Sequence, residues 1–188
     1  DTPWNLVPYY IAGQFLGAFL GAAGVYAIYH DGLVAAGMPN VWCTGPGSVI
    51  DKAAWGYTLT ELGGTSIYVG HYSFADAFIT EVIATMVLVM GVYALIDTKN
   101  MAPSSNMAPF MIGMLVVVIG IALGGPSGYA LNPARDLAPR IFGTLVGTKG
   151  LFTGYYWIGP PVTGTIIGGI LGALIYKRLL APFLPERK

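Results

Sequence analysis

The sequence predicts an all-α membrane protein with four transmembrane helices and one re-entrant half-helix, in a single domain over residues 1–188. Of its residues 55% are hydrophobic and only 10% are charged, whereas soluble domains are typically about 25% charged. The mean hydropathy is +0.65. Four apolar segments are predicted to cross a bilayer, and a stretch rich in glycine and proline between the last two is too irregular to do so.

The spans are predicted from runs of apolar residues at positions 6–29, 74–96, 109–123 and 158–176. Gly17 and Gly21 in the first span are four residues apart, as are Gly164, Gly168 and Gly172 in the last. Small residues at this spacing let another helix approach closely. The sequence leaves open whether the last set packs within one subunit or between subunits.

The connections set the orientation. Residues 30–73 form a long polar loop, in which a short helix is predicted over 51–60. That loop has one lysine against three acidic residues, whereas the C-terminal tail has Lys177, Arg178, Arg187 and Lys188. Basic residues favour the cytoplasmic side. We therefore expect a multi-pass protein, in the plasma membrane, with a cytoplasmic C-terminus and an external long loop.

The re-entrant segment is predicted over residues 124–143. Two glycines, a proline, a serine and a third glycine open it and disfavour a helix. Asn132 is then a favoured helix N-cap, and Pro133 suits the first helical position. About ten helical residues rise only about 15 Å, half of a bilayer core of about 30 Å. Irregular backbone at that depth lies where protein buries it or where it lines a watery cavity.

Glu81 lies about two turns inside the second predicted span. An ionisable residue there is a functional hypothesis, and two interpretations are open. The carboxylate carries protons or ions, or it accepts backbone N–H groups from the irregular re-entrant segment. We favour the second, because that backbone needs acceptors. Gln14, in the first span, is interpreted as a hydrogen-bond donor to another helix.

Several classes of function are disfavoured by composition. The nine basic and nine acidic residues cancel, and no basic run indicates nucleic acid. One cysteine, Cys43, and two histidines predict neither a disulfide framework nor a metal site. No nucleophile-base pair or paired carboxylates indicate an enzyme, and no cofactor is expected. A secondary transporter also uses broken helices, but it would need further acids or ion ligands in the spans.

The segment Asn132-Pro133-Ala134-Arg135-Asp136 resembles the second Asn-Pro-Ala signature of the aquaporin (major intrinsic protein) family. The trailing aspartate is typical of the glycerol-conducting branch, the aquaglyceroporins. Further positions resemble that branch too: Tyr129, Arg140 and Pro161-Val162. The resemblance covers essentially the whole chain, from the third to the sixth membrane helix of the family, and includes the second half-helix.

The resemblance implies a right-handed helical bundle built from inverted repeats. The family has six spans and two half-helices, but the first two spans and the first Asn-Pro-Ala motif have no counterpart here. We therefore expect this chain to be part of a longer protein, or its first part to lie on another chain. The resemblance also implies a homotetramer in the lipid bilayer, with one pore in each subunit.

The resemblance assigns roles to individual residues. Asn132, Pro133 and Ala134 form the pore motif, and Arg135, Tyr129 and Gly120 the selectivity filter. An extended run supplies pore-lining carbonyls from Gly125, Ser127, Gly128, Ala130 and Leu131. Structural support is expected from Glu81, Asp136, Arg140 and Gln14, the aspartate and arginine pairing four residues apart on the half-helix.

The implied function is passive flow of glycerol, other small neutral solutes and water, with ions and protons excluded. The dipole at the start of the half-helix and the charge of Arg135 disfavour cations. A glycine at position 120 leaves a wide opening, and Tyr129 offers an apolar wall to the carbon chain of a polyol. A water-selective aquaporin and a non-conducting scaffold of the same fold remain the alternatives.

Overall fold

The computed structural model describes residues 2–45, 58–62, 65–69, 72–100 and 102–184. The five α-helices of the described chain are α1 (Val7–Ala35), α2 (Phe74–Ile96), α3 (Ala108–Leu123), α4 (Pro133–Leu145) and α5 (Thr165–Ile175). Two strands, β1 (Thr58–Leu62) and β2 (Thr65–Val69), lie between α1 and α2. Short 3-10 turns occur at Trp4–Leu6 and Ala181–Phe183, and π-helical segments at Gly159–Gly164 and Tyr176–Leu180.

Among the described residues, three helical stretches are long and apolar enough to cross a membrane: Trp4–Ala35, Phe74–Ile96 and Gly159–Phe183. The apolar helix α3 is shorter, with 16 residues, or about 24 Å of rise. It ends where the re-entrant segment begins. The half-helix α4 has 13 residues, or about 20 Å, and this length is too short to cross the bilayer core.

Helix α1 runs six residues further than the predicted first span. The expected boundary at residue 29 is wrong because no helix breaker follows it: His30 and Asp31 stay helical, and their side chains hydrogen-bond at 2.9 Å. The helix ends near Gly37 and Met38, which have φ values of 75° and 55°. Left-handed residues at this position are the usual way in which a helix stops.

Helix α2 begins at a capping box. The Ser73 hydroxyl accepts the backbone N–H of Asp76 at 3.1 Å, and the Asp76 carboxylate accepts the Ser73 N–H at 2.8 Å. This reciprocal pair satisfies two N–H groups that the first turn leaves open. Asp76 therefore caps its own helix at the edge of the span.

Helix α2 packs along α5 through the glycines of the last span. A Cβ atom added at Gly168 would lie 2.3 Å from the Val82 carbonyl oxygen, and one at Gly172 would lie 2.5 Å from that of Met86. The two backbones can be this close only because neither glycine has a side chain. The glycine ladder thus serves packing within the subunit.

The last helical stretch does not end at the predicted residue 176. It continues through a π-helical segment, Tyr176–Leu180, which contains Lys177 and Arg178. The Tyr176 hydroxyl donates to Asp97 Oδ2 at 2.9 Å, and its ring stacks on that of Tyr93, with centroids 5.5 Å apart. These contacts join the end of α2 to the last helical stretch.

The long loop contains a pair of antiparallel strands, with Thr58 opposite Val69 and Leu62 opposite Thr65. The short helix predicted over 51–60 is wrong for its last three residues, which belong to β1; residues 51–57 lie outside the described residues. The two strands contain threonine, isoleucine, tyrosine and valine, which are residue types enriched in strands.

Candidate channel site

The re-entrant segment is folded more tightly than predicted. The expected extended run from residue 124 to 131 is wrong, because residues 125–127 form a turn that the Gly128 N–H closes on the Gly124 carbonyl at 2.7 Å. Gly128, Tyr129 and Leu131 then have φ values of 85°, 44° and 59°. Left-handed residues turn successive backbone N–H groups toward one side, as an extended chain cannot.

Glu81 binds that backbone. Its Oε1 accepts the Ala130 N–H at 2.6 Å, and its Oε2 accepts the Leu131 N–H at 3.0 Å. The side chain is fully buried, as is that of Ser127 in the same segment. Two consecutive N–H groups thus converge on one carboxylate. This arrangement is the second of the two interpretations, in which the acid supports the irregular segment.

Asn132 caps the half-helix. Its backbone is extended, with φ −153° and ψ 123°, and Pro133 takes the first helical position. The Asn132 Oδ1 accepts the Ala134 N–H at 2.9 Å, and its Nδ2 donates to Gln14 Oε1 at 2.8 Å. The prediction that Gln14 is a hydrogen-bond donor is wrong, because Gln14 is the acceptor here. The Asn132 oxygen is occupied by the cap, so Asn132 meets Gln14 with its amide nitrogen.

The three residues assigned to the filter lie together. The Tyr129 ring packs against Gly120, where an added Cβ would be 3.3 Å from the ring atoms Cε2 and Cζ. The Arg135 guanidinium lies over the same ring, with its Cζ 5.8 Å from the centroid. Arg135 is exposed, whereas Tyr129 and Gly120 are half-buried. The ring of Tyr129 therefore lies beside both a guanidinium group and a glycine, whose backbone carries no side chain.

Asp136 and Arg140 pair one turn apart on α4, both almost fully buried. Arg140 Nε and Nη2 donate to Asp136 Oδ1 at 2.9 and 2.8 Å. The other aspartate oxygen accepts both the backbone N–H and the hydroxyl of Thr44, at 2.7 and 2.5 Å. Arg140 also donates to the carbonyls of Thr44 and Leu151. The pair thus fastens the half-helix to the connections on both sides of it.

Two residues of this network were not singled out from the sequence, Thr44 and Tyr156. The Tyr156 hydroxyl donates to the Ser127 carbonyl at 2.6 Å, and its ring lies 6.0 Å from the Arg140 guanidinium. Burial raises the pKa of Tyr156, which keeps the phenol protonated as a donor. In the sequence Tyr156 is the middle one of three consecutive aromatic residues, and only its contacts distinguish it from its two neighbours.

An aromatic cluster holds α4 against α1. The Phe142 ring meets Phe19 and Trp42, with centroids 5.2 and 5.4 Å apart. The Trp42 indole N–H donates to the Thr148 hydroxyl at 2.8 Å. A Cβ atom added at Gly143 would lie 2.2 Å from the Trp42 ring. This glycine therefore lets the loop that follows α1 pack directly on the half-helix.

Cys43 lies beside this cluster as a buried free thiol. Burial raises its pKa to about 11, so the thiol is neutral at physiological pH. Within the residues that the structure describes, no group of three or more His, Cys, Asp or Glu side chains is arranged to hold a metal ion.

Comparisons with known proteins agree with the motif. The major intrinsic protein family matches residues 2–176. Human aquaporin-9 is 37% identical over 97% of this chain, and a probable glycerol uptake facilitator of Thermotoga maritima is 39% identical over 94% of it. The solved aquaglyceroporin of Plasmodium falciparum superimposes with a TM-score of 0.77 and 25% identity, over 97% of this chain and 67% of its own.

These relatives are longer than this chain, which covers 59% of human aquaporin-9 and 67% of the Thermotoga protein. The structural likeness confirms the predicted aquaporin-like helical bundle, to which the loop adds two strands. The predicted resemblance to aquaglyceroporins is likewise confirmed. The chain is therefore an integral membrane protein and belongs to the major intrinsic protein family.

Proposed function

We propose that this chain forms the outer filter and the second half-helix of a passive channel for glycerol and other small neutral solutes, with water. The observation on which this rests is the meeting of Arg135, Tyr129 and Gly120 at the end of a buried, irregular backbone segment. Such backbone inside a membrane protein is tolerated where it lines a cavity or is buried in protein. The relatives named above support the same function.

The filter residues suit a polyol. A guanidinium presents several hydrogen-bond donors to hydroxyl groups, and an aromatic ring packs against the carbon chain. Gly120 adds no side chain to the opening. One donor-rich side and one apolar side together match glycerol, whose hydroxyls lie along one edge of its carbon chain.

Ions and protons are excluded by fixed positive charge. Arg135 follows the N-terminus of α4 closely, and the helix dipole adds partial positive charge there. A cation passing this point meets both without a compensating acid in the filter. Asn132 donates from its amide group and interrupts proton transfer along a water chain.

A second group of residues holds the irregular backbone and the half-helix in place. Glu81 fixes the residues before Asn132, and Gln14 orients its amide. Asp136 and Arg140 fix α4 to the external connections. The carbonyls of the segment line the pore: Gly125, Ser127, Gly128, Ala130 and Leu131.

A complete pore needs parts beyond this chain. We propose that the first two spans and the first half-helix are contributed by the same protein or by another chain. The complete channel assembles as a homotetramer in the plasma membrane, with the C-terminus in the cytoplasm. Passive flow down a gradient is the expected mode, since the described spans contain one buried acid, Glu81, and it is used by the backbone.

Removal of the filter cation tests this proposal. The full-length protein is reconstituted in liposomes, and glycerol entry, water flow and proton leak are recorded by stopped-flow for the wild type, Arg135→Ala and Arg178→Ala. Arg178 is an exposed cation at the far end of the last helix and is the matched control. One charge at close range contributes about 1–4 kcal/mol, so Arg135→Ala should raise proton leak roughly tenfold or more.

The wild type should admit glycerol and water, and Arg178→Ala should behave like it. Water flow without glycerol flow would overturn the glycerol assignment and leave a water-selective channel. No flux from well-folded protein would indicate the non-conducting scaffold. Equal proton leak in all three proteins would contradict the role of Arg135.

A further inference from the structure

We propose that Gly124 is a positioning residue that sets the place of the Tyr129 ring and through it the ratio of glycerol to water flow. This inference rests on the proposed function, because it concerns the same filter. Gly124 lies at the end of α3 and is buried. It has no side chain with which to touch a solute, so it acts only through its neighbours.

The contact between Gly124 and the ring leaves no room for a methyl group. A Cβ atom added at Gly124 would lie 2.7 Å from Tyr129 Cδ1 and 3.2 Å from Cε1. It would also lie 2.3 Å from the Gly120 carbonyl oxygen. Carbon atoms pack at about 3.5–4.0 Å, so the ring and the end of α3 must both shift to admit an alanine.

Gly120 supports the other side of the same ring. Its added Cβ would approach Cε2, Cζ and Cδ2, at 3.3, 3.3 and 3.5 Å, whereas Gly124 faces Cδ1 and Cε1. Two glycines one helical turn apart therefore form a bare surface on which the ring of Tyr129 lies. The position of the ring is set by backbone rather than by side chains.

The main chain of Tyr129 has little freedom to compensate. Its φ of 44° is in the left-handed region, where residues other than glycine are uncommon. The next two N–H groups are bound by Glu81, and its own N–H donates to the Ser127 hydroxyl at 3.3 Å. A displaced ring must therefore move as a side chain, beside Arg135.

An alanine at position 124 should reduce glycerol flow more than water flow. The added methyl group takes volume from the filter whichever way the ring moves. Glycerol fills a narrow slot more completely than water does, so it is the more sensitive solute. The ratio of the two permeabilities is therefore the readout, since a general loss of folded protein lowers both fluxes together.

The experiment compares Gly124→Ala with Gly113→Ala in the full-length channel in liposomes. Gly113 lies on the same helix, and an added Cβ there meets nothing within 4 Å. Gly124→Ala should lower the glycerol-to-water ratio on the order of tenfold, as expected for residues in direct contact. Gly113→Ala should leave the ratio unchanged within about twofold.

A Tyr129→Leu background shows whether the effect passes through the ring. With the ring removed, Gly124→Ala should change the ratio no further. An unchanged ratio in Gly124→Ala, or an equal drop in both backgrounds, would overturn the proposal. If Gly124→Ala alone does not fold, the Tyr129→Leu variant by itself carries the test: removal of the ring should lower the glycerol-to-water ratio, and an unchanged ratio overturns the proposal. Absence of glycerol entry through the wild type would overturn the proposed function, and this inference with it.

Discussion

At the scale of single residues, Glu81 accepts hydrogen bonds from backbone N–H groups of the re-entrant segment. Backbone N–H groups away from water need acceptors, and the segment before Asn132 has no helix or sheet to supply them. One carboxylate accepts two of these groups because left-handed residues turn them to the same side. Both oxygens of the buried carboxyl group are thus bound by backbone donors.

Glu81→Gln should destabilise the protein by about 1–3 kcal/mol. The glutamine amide group would face one of the two backbone N–H groups with a second donor, which leaves a buried donor without an acceptor. The free energy of unfolding is measured in detergent beside Asp31→Asn, a fully exposed acid near the end of α1. An equal effect of the two substitutions would contradict the role of Glu81.

Two hydrogen-bonding arrangements near the proposed filter were predictable from the sequence, whereas the backbone conformations there were not. The acceptor role of Glu81 was predictable because an acid inside a span needs hydrogen-bond donors. The cap at Asn132 was predictable because an Asn-Pro pair is typical of a helix start. The positive φ of Tyr129 and the contact of its ring with Gly124 were not predictable, because they depend on how α3 ends beside the half-helix. Thr44 was missed for the same reason: its partner, Asp136, is 92 residues away in sequence.

At the scale of helices and loops, the pairing of α2 with α5 is a glycine interface. Gly168 and Gly169 are adjacent glycines, but their surroundings differ. A Cβ atom added at Gly168 would strike the Val82 carbonyl at 2.3 Å, whereas one at Gly169 would meet the nearest atom, Val89 Cγ2, at 3.9 Å. Only the first glycine is required for the close approach of the two helices.

Gly168→Ala should therefore destabilise the protein by about 1–3 kcal/mol, as overpacking does. Gly169→Ala should be neutral or stabilising by about 0.5–1 kcal/mol, because alanine is the better helix former. Thermal unfolding of both variants in detergent measures the difference. Destabilisation of both to the same degree would mean that the interface does not depend on this contact.

Element boundaries were predictable where a cap marks them and uncertain elsewhere. Ser73 and Asp76 mark the start of α2, which occupies the same residues as the predicted span. Gly37 marks the end of α1, but it lies beyond the apolar run from which the first span was predicted. The last helical stretch continues past residue 176, where Tyr176 contacts Asp97. The strands in the loop were missed because polar, mixed sequence gave no clear periodicity.

For the molecule as a whole, the half-helix is the part that joins the rest. Helix α4 packs on α1 through the Phe142 cluster. Its Asp136–Arg140 pair binds the loop at Thr44 and the later connection at Leu151. The re-entrant segment before it is held by Glu81 of α2. The half-helix is thus fixed by residues before and after it in the sequence, and this suits the proposed filter, which must keep its width.

The central claim, that Gly120, Tyr129 and Arg135 form a glycerol filter, is tested most directly by narrowing it. Glycerol and water permeabilities of the full-length protein in liposomes are compared for the wild type, Gly120→His and Gly113→Leu, a bulky substitution on the open face of the same helix. The account predicts that Gly120→His reduces glycerol entry roughly tenfold or more while water still passes, and that Gly113→Leu keeps both. Equal glycerol entry through all three proteins would contradict it.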